Sequence, residues 1–220
     1  MTVRLADLRR FAVSRSLFPL TSLEDALKTL GFLQADPIRA PARAQDLVLR
    51  HRVTGYRAGD LEHRYPGLEI EEDYFINYGF VTTSVHALMH PRAGMKPWPR
   101  ARTKQAKAVL DFVGEQGVVH PREVNDHFLH GPVTNYWGGT SNATTHLLDS
   151  MHYRGLLRVA GRVNGIRTYA VQGSAPAKAG RSDRNTRIDA LVDVLVGKYA
   201  PLTGAGLSTV VSRLRYCVPQ

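Results

Sequence analysis

The chain has 220 residues and a formal charge of +10, from 29 Lys+Arg against 19 Asp+Glu, while 43% hydrophobic and 22% charged residues are ordinary globular composition. That length suits one large domain or two small ones with a real core, which excludes global disorder, and no apolar run approaches the ~20 residues that cross a bilayer. The single Cys217 has no intrachain disulfide partner and the first residues lack an apolar signal core, so a cytoplasmic protein with no membrane role is expected.

Of the 29 cations 23 are arginines, the side chain whose planar fork grips phosphate at two points. Nucleic acid is the leading partner on this ground, with a plain GC-rich codon bias as the alternative reading of the same composition. The distribution of the arginines along the chain decides between them.

Residues 4–16 and 22–31 read as amphipathic helices, the second capped by Thr21 or Ser22, with Glu24 and Asp25 in its first turn and Gly31 at its end. A short extended piece, 32–36, follows and contains Gln34-Ala35-Asp36-Pro37. Pro37 biases Asp36 to extended geometry, so Gln34 and Asp36 share a face roughly 7 Å apart. An amide that can hold water beside a carboxylate that can stabilise positive charge, on a basic protein, suits hydrolysis of nucleic acid. The bare spacing nevertheless favours a structural alternative, in which Asp36 caps a helix with Pro37 in its first turn.

A third helical pattern spans 39–52, with Ala44, Leu47 and Val48 on one side and Arg39, Arg43, Asp46 and Arg50 on the other. Five arginines (39, 43, 50, 52 and 57) against Asp46 give this stretch a balance of +4, a candidate surface for a nucleic-acid backbone; its alternative is a solvated helix face braced by Arg–Asp pairs. The acidic patch Glu69, Glu71, Glu72 and Asp73 leads into the β-prone run Tyr74–Val81, a candidate wing.

Residues 92–107 carry six cations and no acid, with Trp98 between two prolines, and read as a boundary. The pattern then restarts: a helix to Gln116, another from Pro121 to about Leu129, a Gly-rich turn at 137–139 before a helix capped by Thr140 or Ser141, and two β-prone runs, 156–163 and 166–171, joined by Asn164-Gly165. Asn-Gly between such runs is a strong hairpin signal, so this second unit reads as a winged helix-turn-helix. Arg154, Arg158, Arg162 and Arg167 decorate its last helix and wing.

The expected fold is therefore mainly α with small β wings, arranged as tandem winged helix-turn-helix units. Residues 1–95 form the first, 96–172 the second, and 173–220 a linker followed by the start of a third, incomplete helical unit whose helices cover 183–199 and 204–215.

Nine histidines raise the question of metal, and His86 and His90 have i, i+4 spacing, but Pro91 follows and there is no HExxH pattern or Cys cluster, so no metal is expected. His120, His127, His130, His146 and His152 read as surface or satisfied core residues. Neither a GxGxxG after a strand nor a Walker A or GxSxG motif is present, and no nucleotide or other cofactor is expected.

The run Leu30–Pro37, with Ala42-Arg43-Ala44-Gln45-Asp46-Leu47-Val48-Leu49-Arg50-His51-Arg52 after it, resembles the AlkZ/YcaQ-like bacterial DNA glycosylases. Trp137-Gly138-Gly139, Leu147-Leu148 and Gly155–Arg162 ahead of Tyr169 are similar to that family's central winged helix. The resemblance implies a winged-helix, nucleoid-associated bacterial protein, monomeric and without cofactor, that hydrolyses the N-glycosidic bond of alkylated purines or interstrand crosslinks as a monofunctional glycosylase. It implies Gln34 and Asp36 as the catalytic pair, the family motif being Gln-apolar-Asp or Gln-apolar-Gln, with damaged duplex DNA as partner. A non-catalytic winged-helix DNA-binding protein is the runner-up, and a protein-interaction module comes third. Three departures stand out. Gln45 occupies a place where the resemblance leads one to expect histidine, Tyr74–Phe80 lacks a tryptophan, and the chain ends about where the family's third winged helix and β-barrel begin, from which a weakened enzyme or a DNA-binding relic is expected.

Overall fold

The structure, a computed structural model, describes residues 3–129, 131–134, 140–173 and 181–219. It divides into two compact units, one formed by residues 1–90 together with 178–220, the other by 91–177.

The first unit opens with α1 (Leu5–Ser16), which buries none of its residues, and α2 (Leu23–Leu30). Ser22 caps α2 by accepting the Asp25 N–H at 3.1 Å, and Gly31, at φ 62°, supplies the left-handed turn that ends it. The chain passes directly into β1 (Phe32–Gln34), then through an irregular stretch to α3 (Ala44–Arg50), α4 (Asp60–Arg64), the hairpin β2 (Ile70–Tyr74) and β3 (Tyr78–Thr82), and α5 (Thr83–Met89). The third helix is shorter than the 39–52 expected. Pro37 and Pro41 lack amide donors and restrain the residues before them, so regular hydrogen bonding starts only at Ala44.

β1, β3 and β2 form an antiparallel sheet in that spatial order. Paired residues share a face, so one face carries the rows Phe32–Val81–Glu71 and Gln34–Gly79–Asp73, and the other carries Leu33, Phe80 and Glu72. Gly79 is required where it stands, because a Cβ there would lie 2.3 Å from the Leu33 carbonyl oxygen and 2.6 Å from the Phe32 ring.

The second unit contains α6 (Arg100–Gln116), β4 (Val118–Val119), α7 (Pro121–Phe128), β5 (Pro132–Thr134), β6 (Thr140–Asn142), α8 (Ala143–Tyr153), β7 (Leu157–Val163) and β8 (Ile166–Val171). Its main sheet has the order β4-β8-β7, again with the early strand paired to the last strand of the hairpin. Asn164 and Gly165 turn that hairpin at φ 52° and 81°, the doubly positive pattern that Asn-Gly tolerates best. The cap of α8 is Asn142, which accepts the Thr144 N–H at 2.7 Å, rather than Thr140 or Ser141; those two residues belong to β6, which pairs with β5. The expected turn at 137–139 and most of the expected linker at 173–181 lie outside the described residues.

After the second unit come α9 (Arg181–Tyr199), α10 (Gly204–Ser212) and a 3-10 turn at Arg213–Tyr216. The expectation that 173–220 begins a separate third unit is corrected here, since 178–220 belongs to the first. Leu191, Leu195, Leu214 and Cys217 are buried against Phe32, Phe75, Val81, Val85 and Met89. Each fully buried leucine contributes about 2 kcal/mol, which makes this segment part of the first unit's core. Arg187 donates to the Ala87 carbonyl at 3.0 Å and to the His90 carbonyl, and Lys198 donates to the Phe32 carbonyl at 2.6 Å. Helices thus predominate over small antiparallel sheets, and no helix among the described residues is long and apolar enough to cross a membrane.

Candidate active site

Gln34 is the last residue of β1 and is exposed, with its backbone in register with Gly79. The Ala35 N–H donates to the Tyr78 carbonyl at 3.1 Å, which carries the extended geometry one residue further. Asp36 then leaves the sheet. Its Oδ1 accepts the Ile38 N–H at 2.8 Å, a local turn across Pro37, and its own N–H donates to Gln45 Oε1 at 3.0 Å. Asp36 is therefore not the cap of α3, whose N-cap is Arg43. Among the described residues the Gln34 amide and Asp36 Oδ2 make no hydrogen bond, so both remain open to an incoming molecule, while Asp36 is anchored at its Oδ1 and at its backbone.

Gln45, 3% exposed, is the residue the sequence reading left without a role. It sits in the first turn of α3 and its side-chain oxygen accepts the Asp36 N–H, so the helix and the segment that carries Asp36 are tied by one side chain. Its position after Arg-Ala in a family-like run was the available signal. Beside it, Asp46 is buried and accepts the Tyr56 hydroxyl at 2.8 Å and the Gly59 N–H at 3.0 Å. Burial, followed by the Asp46 hydrogen bond, holds the Tyr56 hydroxyl protonated well above the usual tyrosine range.

This changes the reading of the charged stripe. Arg43 is ion-paired with Glu62 and Asp46 faces inward, so 43 and 46 clasp α3 to the segment around 56–62 and do not form a surface. Arg39 and Arg50 are exposed. Arg52 is turned inward, donating to the Val48 carbonyl at 2.7 Å and to the Ser16 carbonyl, with its guanidinium 5.8 Å from the Phe18 ring. Burial pulls its pKa below the ordinary arginine value, and burial followed by the charge of Arg52 pulls Lys198 down to about 8.

In the second unit Arg154 donates to the Lys96 carbonyl at 2.6 Å and lies 4.1 Å from the Trp98 ring. Arg162 braces the hairpin through the Gly165 carbonyl at 2.9 Å, and Arg167 meets Asp149 Oδ1 at 2.8 Å, an oxygen it shares with the Tyr169 hydroxyl. Arg158 is half-buried on β7. The stretch 92–107 is only partly a boundary, because Arg92 is buried over the Tyr153 ring and Arg100 onward is α6.

The first unit holds a second polar cluster, in which the histidine pair noted in the sequence is joined by an acid that has no local signature there. Asp73 of β2 lies between His86 and His90, with Oδ2 3.2 Å and 2.8 Å from their Nε2 atoms.

A family model described as "DNA glycosylase AlkZ-like" matches residues 27–215, a span that includes Gln34, Asp36, all of the second unit and most of the first. Among solved structures, Streptomyces sahachiroi DNA glycosylase AlkZ superposes with a TM-score of 0.59 over 96% of this chain and 65% of that one, at 13% sequence identity, a likeness of fold. The present chain thus spans about two thirds of the length of that protein. No curated protein matches the sequence.

Proposed function

We propose, from the premise that this chain belongs to the AlkZ-like DNA glycosylase family, that it is a monofunctional DNA glycosylase releasing alkylated purines from duplex DNA, with Gln34 and Asp36 as its catalytic pair. The observation that carries the reading is the state of those two side chains: an exposed, uncommitted amide next to a carboxylate that is fixed at one oxygen and open at the other.

An N7-alkylated purine is already cationic, so when the C1′–N9 bond breaks its electron pair neutralises the base and no strong acid is needed. The sugar is left with oxocarbenium character. Asp36 Oδ2 stabilises that charge and takes the proton of the attacking water, whose oxygen bonds to C1′, while Gln34 holds the water in line. Bulky alkyl and crosslinked bases fit such an open site better than a closed flipping pocket.

We read both units as winged helices, with the hairpins 70–82 and 157–171 as wings. The strand order common to both sheets supports this, the early strand lying against the returning arm of the hairpin. Arg39 and Arg50 are the phosphate contacts of this reading, while Arg154, Arg158, Arg162 and Arg167 reach DNA only by exchanging the local partners they have.

The test is duplex DNA carrying N7-methylguanine or a nitrogen-mustard crosslink, incubated with protein and then cleaved with alkali at abasic sites. Strand cleavage with wild type and none with the Gln34→Ala, Asp36→Asn double variant is the expected result. Binding without cleavage by either protein selects the non-catalytic DNA-binding alternative, in which the Asp36–Ile38 turn is the whole purpose of the carboxylate.

A further inference from the structure

We propose that Asp73, His86 and His90 form a binding site for a divalent transition-metal ion of the zinc class. The proposal is independent of the glycosylase reading and lies wholly within the first unit.

His86 lies on α5 and His90, four positions on, is its C-cap, so the two imidazoles are carried one turn apart at the end of the helix that packs on β2. Their ring centroids are 4.6 Å apart and both Nε2 atoms converge on a single atom, Asp73 Oδ2, at 3.2 and 2.8 Å. All three residues are buried, at 9%, 4% and 0% exposure for His86, His90 and Asp73, and one donor atom from each falls within 4.8 Å of the others.

Zinc–nitrogen bonds near 2.0 Å and zinc–oxygen bonds near 2.1 Å put the donors of a tetrahedral site about 3.3 Å apart. The two nitrogen–oxygen separations lie within about half an ångström of that value, and all three donor atoms lie within 4.8 Å of one another. Two imidazoles and one carboxylate suit zinc and its neighbours rather than magnesium or calcium, which prefer oxygen alone. Three protein donors leave the fourth position for water.

The surrounding charge favours a cation. Glu71, also buried, lies on the same sheet face as Asp73 by strand alternation, and these two acids outnumber the guanidinium of Arg187, which is occupied by the carbonyls of Ala87 and His90 at the end of α5. The consequence is positional. Asp73 pairs with Gly79 and Gly79 with Gln34, so an ion here locks β2 to α5 in the same row of the sheet that ends at Gln34, about 10 Å away across two strand spacings.

The experiment uses the full chain, stripped with chelator and dialysed, then titrated with Zn(II) and with Co(II) by calorimetry and absorbance. One ion per chain with micromolar or tighter affinity is expected. In nitrogen-detected histidine spectra, Zn(II) is expected to shift the Nε2 signals of His86 and His90 and leave the other histidines in place. The His86→Gln, His90→Gln variant is expected to bind at least ~100-fold more weakly, a larger loss than an outer-shell partner causes. Absence of stoichiometric binding by wild type overturns the proposal, and so does undiminished binding by a folded variant. If the variant does not fold, the wild-type spectra decide: shifts at histidines other than 86 and 90 overturn the assignment.

Discussion

Replacing Gly79 with alanine tests the geometry that presents Gln34. The new Cβ would stand 2.3 Å from the Leu33 carbonyl oxygen and 2.6 and 2.9 Å from Cε2 and Cζ of Phe32. Relaxed carbon–oxygen contacts lie near 3.3 Å, so about 1 Å must be recovered by movement. The oxygen belongs to a paired strand and the ring to the buried cluster, so neither yields as a flexible side chain would. Overpacking of this kind costs about 1–3 kcal/mol, and a backbone obstacle places Gly79→Ala at the upper end. Near 3 kcal/mol corresponds to a fall of roughly 10 °C in Tm for a chain of this size. Because Gly79 pairs with Gln34, base release is expected to fall even in the fraction that stays folded. The control is Gly114→Ala in the last turn of α6, where a Cβ meets only Val171 Cγ2 at 3.8 Å; helix propensity predicts a gain of up to about 0.5 kcal/mol. Urea unfolding of the three proteins measures both. A Gly79→Ala stability within about 0.5 kcal/mol of wild type, or equal damage from both substitutions, would refute the reasoning.

Gln45→Leu keeps the volume but leaves the Asp36 N–H without its acceptor, so a loss of about 1–3 kcal/mol in stability is expected together with a fall in kcat at little changed KM, measured on N7-methylguanine duplex. Arg39→Ala and Arg50→Ala are each expected to lower the slope of log affinity against log salt by about 0.9 with stability unchanged, whereas Arg43→Ala leaves the slope alone and destabilises the fold by removing the ion pair with Glu62. Lys198, with its pKa lowered from 10.5 to about 8, holds fewer protons folded than unfolded between those values, so its contribution makes stability rise with pH from about 8 to 10.5 and stay flat below. Lys198→Met removes that rise, on the order of 2 kcal/mol after allowing for partial exposure, and parallel stability–pH curves for the two proteins would contradict it.

What the sequence disclosed was local. Ser22 and Gly31 bracket α2, Asn164-Gly165 turns β7 into β8, and Pro37 ends the extended piece that carries Gln34, each through a backbone preference that neighbouring residues cannot easily override. What it concealed was tertiary. The spacing of Arg43 and Asp46 looks the same whether the pair faces solvent or folds inward onto Glu62 and Tyr56. Leu191 and Leu195 mark an apolar side on α9 without saying which core receives it. Asp73 ends an acidic patch with nothing local to link it to histidine, and only the return of the hairpin brings it to the two histidines 13 and 17 positions later. The histidine spacing was visible, but the acid that completes the cluster had no local signature. At the candidate catalytic pair, the motif exposed Gln34 and Asp36, while the Gln45 side chain that ties Asp36 to α3 belongs to a contact nine residues away.

In the proposed mechanism Asp36 stabilises the charge developing on the sugar. Single-turnover release of N7-methylguanine from duplex DNA by wild type and by Asp36→Asn, at saturating protein and with folding checked by circular dichroism, measures this directly. Loss of a preorganised electrostatic group lowers the chemical rate by about 10²–10³, so a fall of that size with DNA affinity preserved is expected. Equal rates for the two proteins, or no release by wild type above the spontaneous rate, would contradict it.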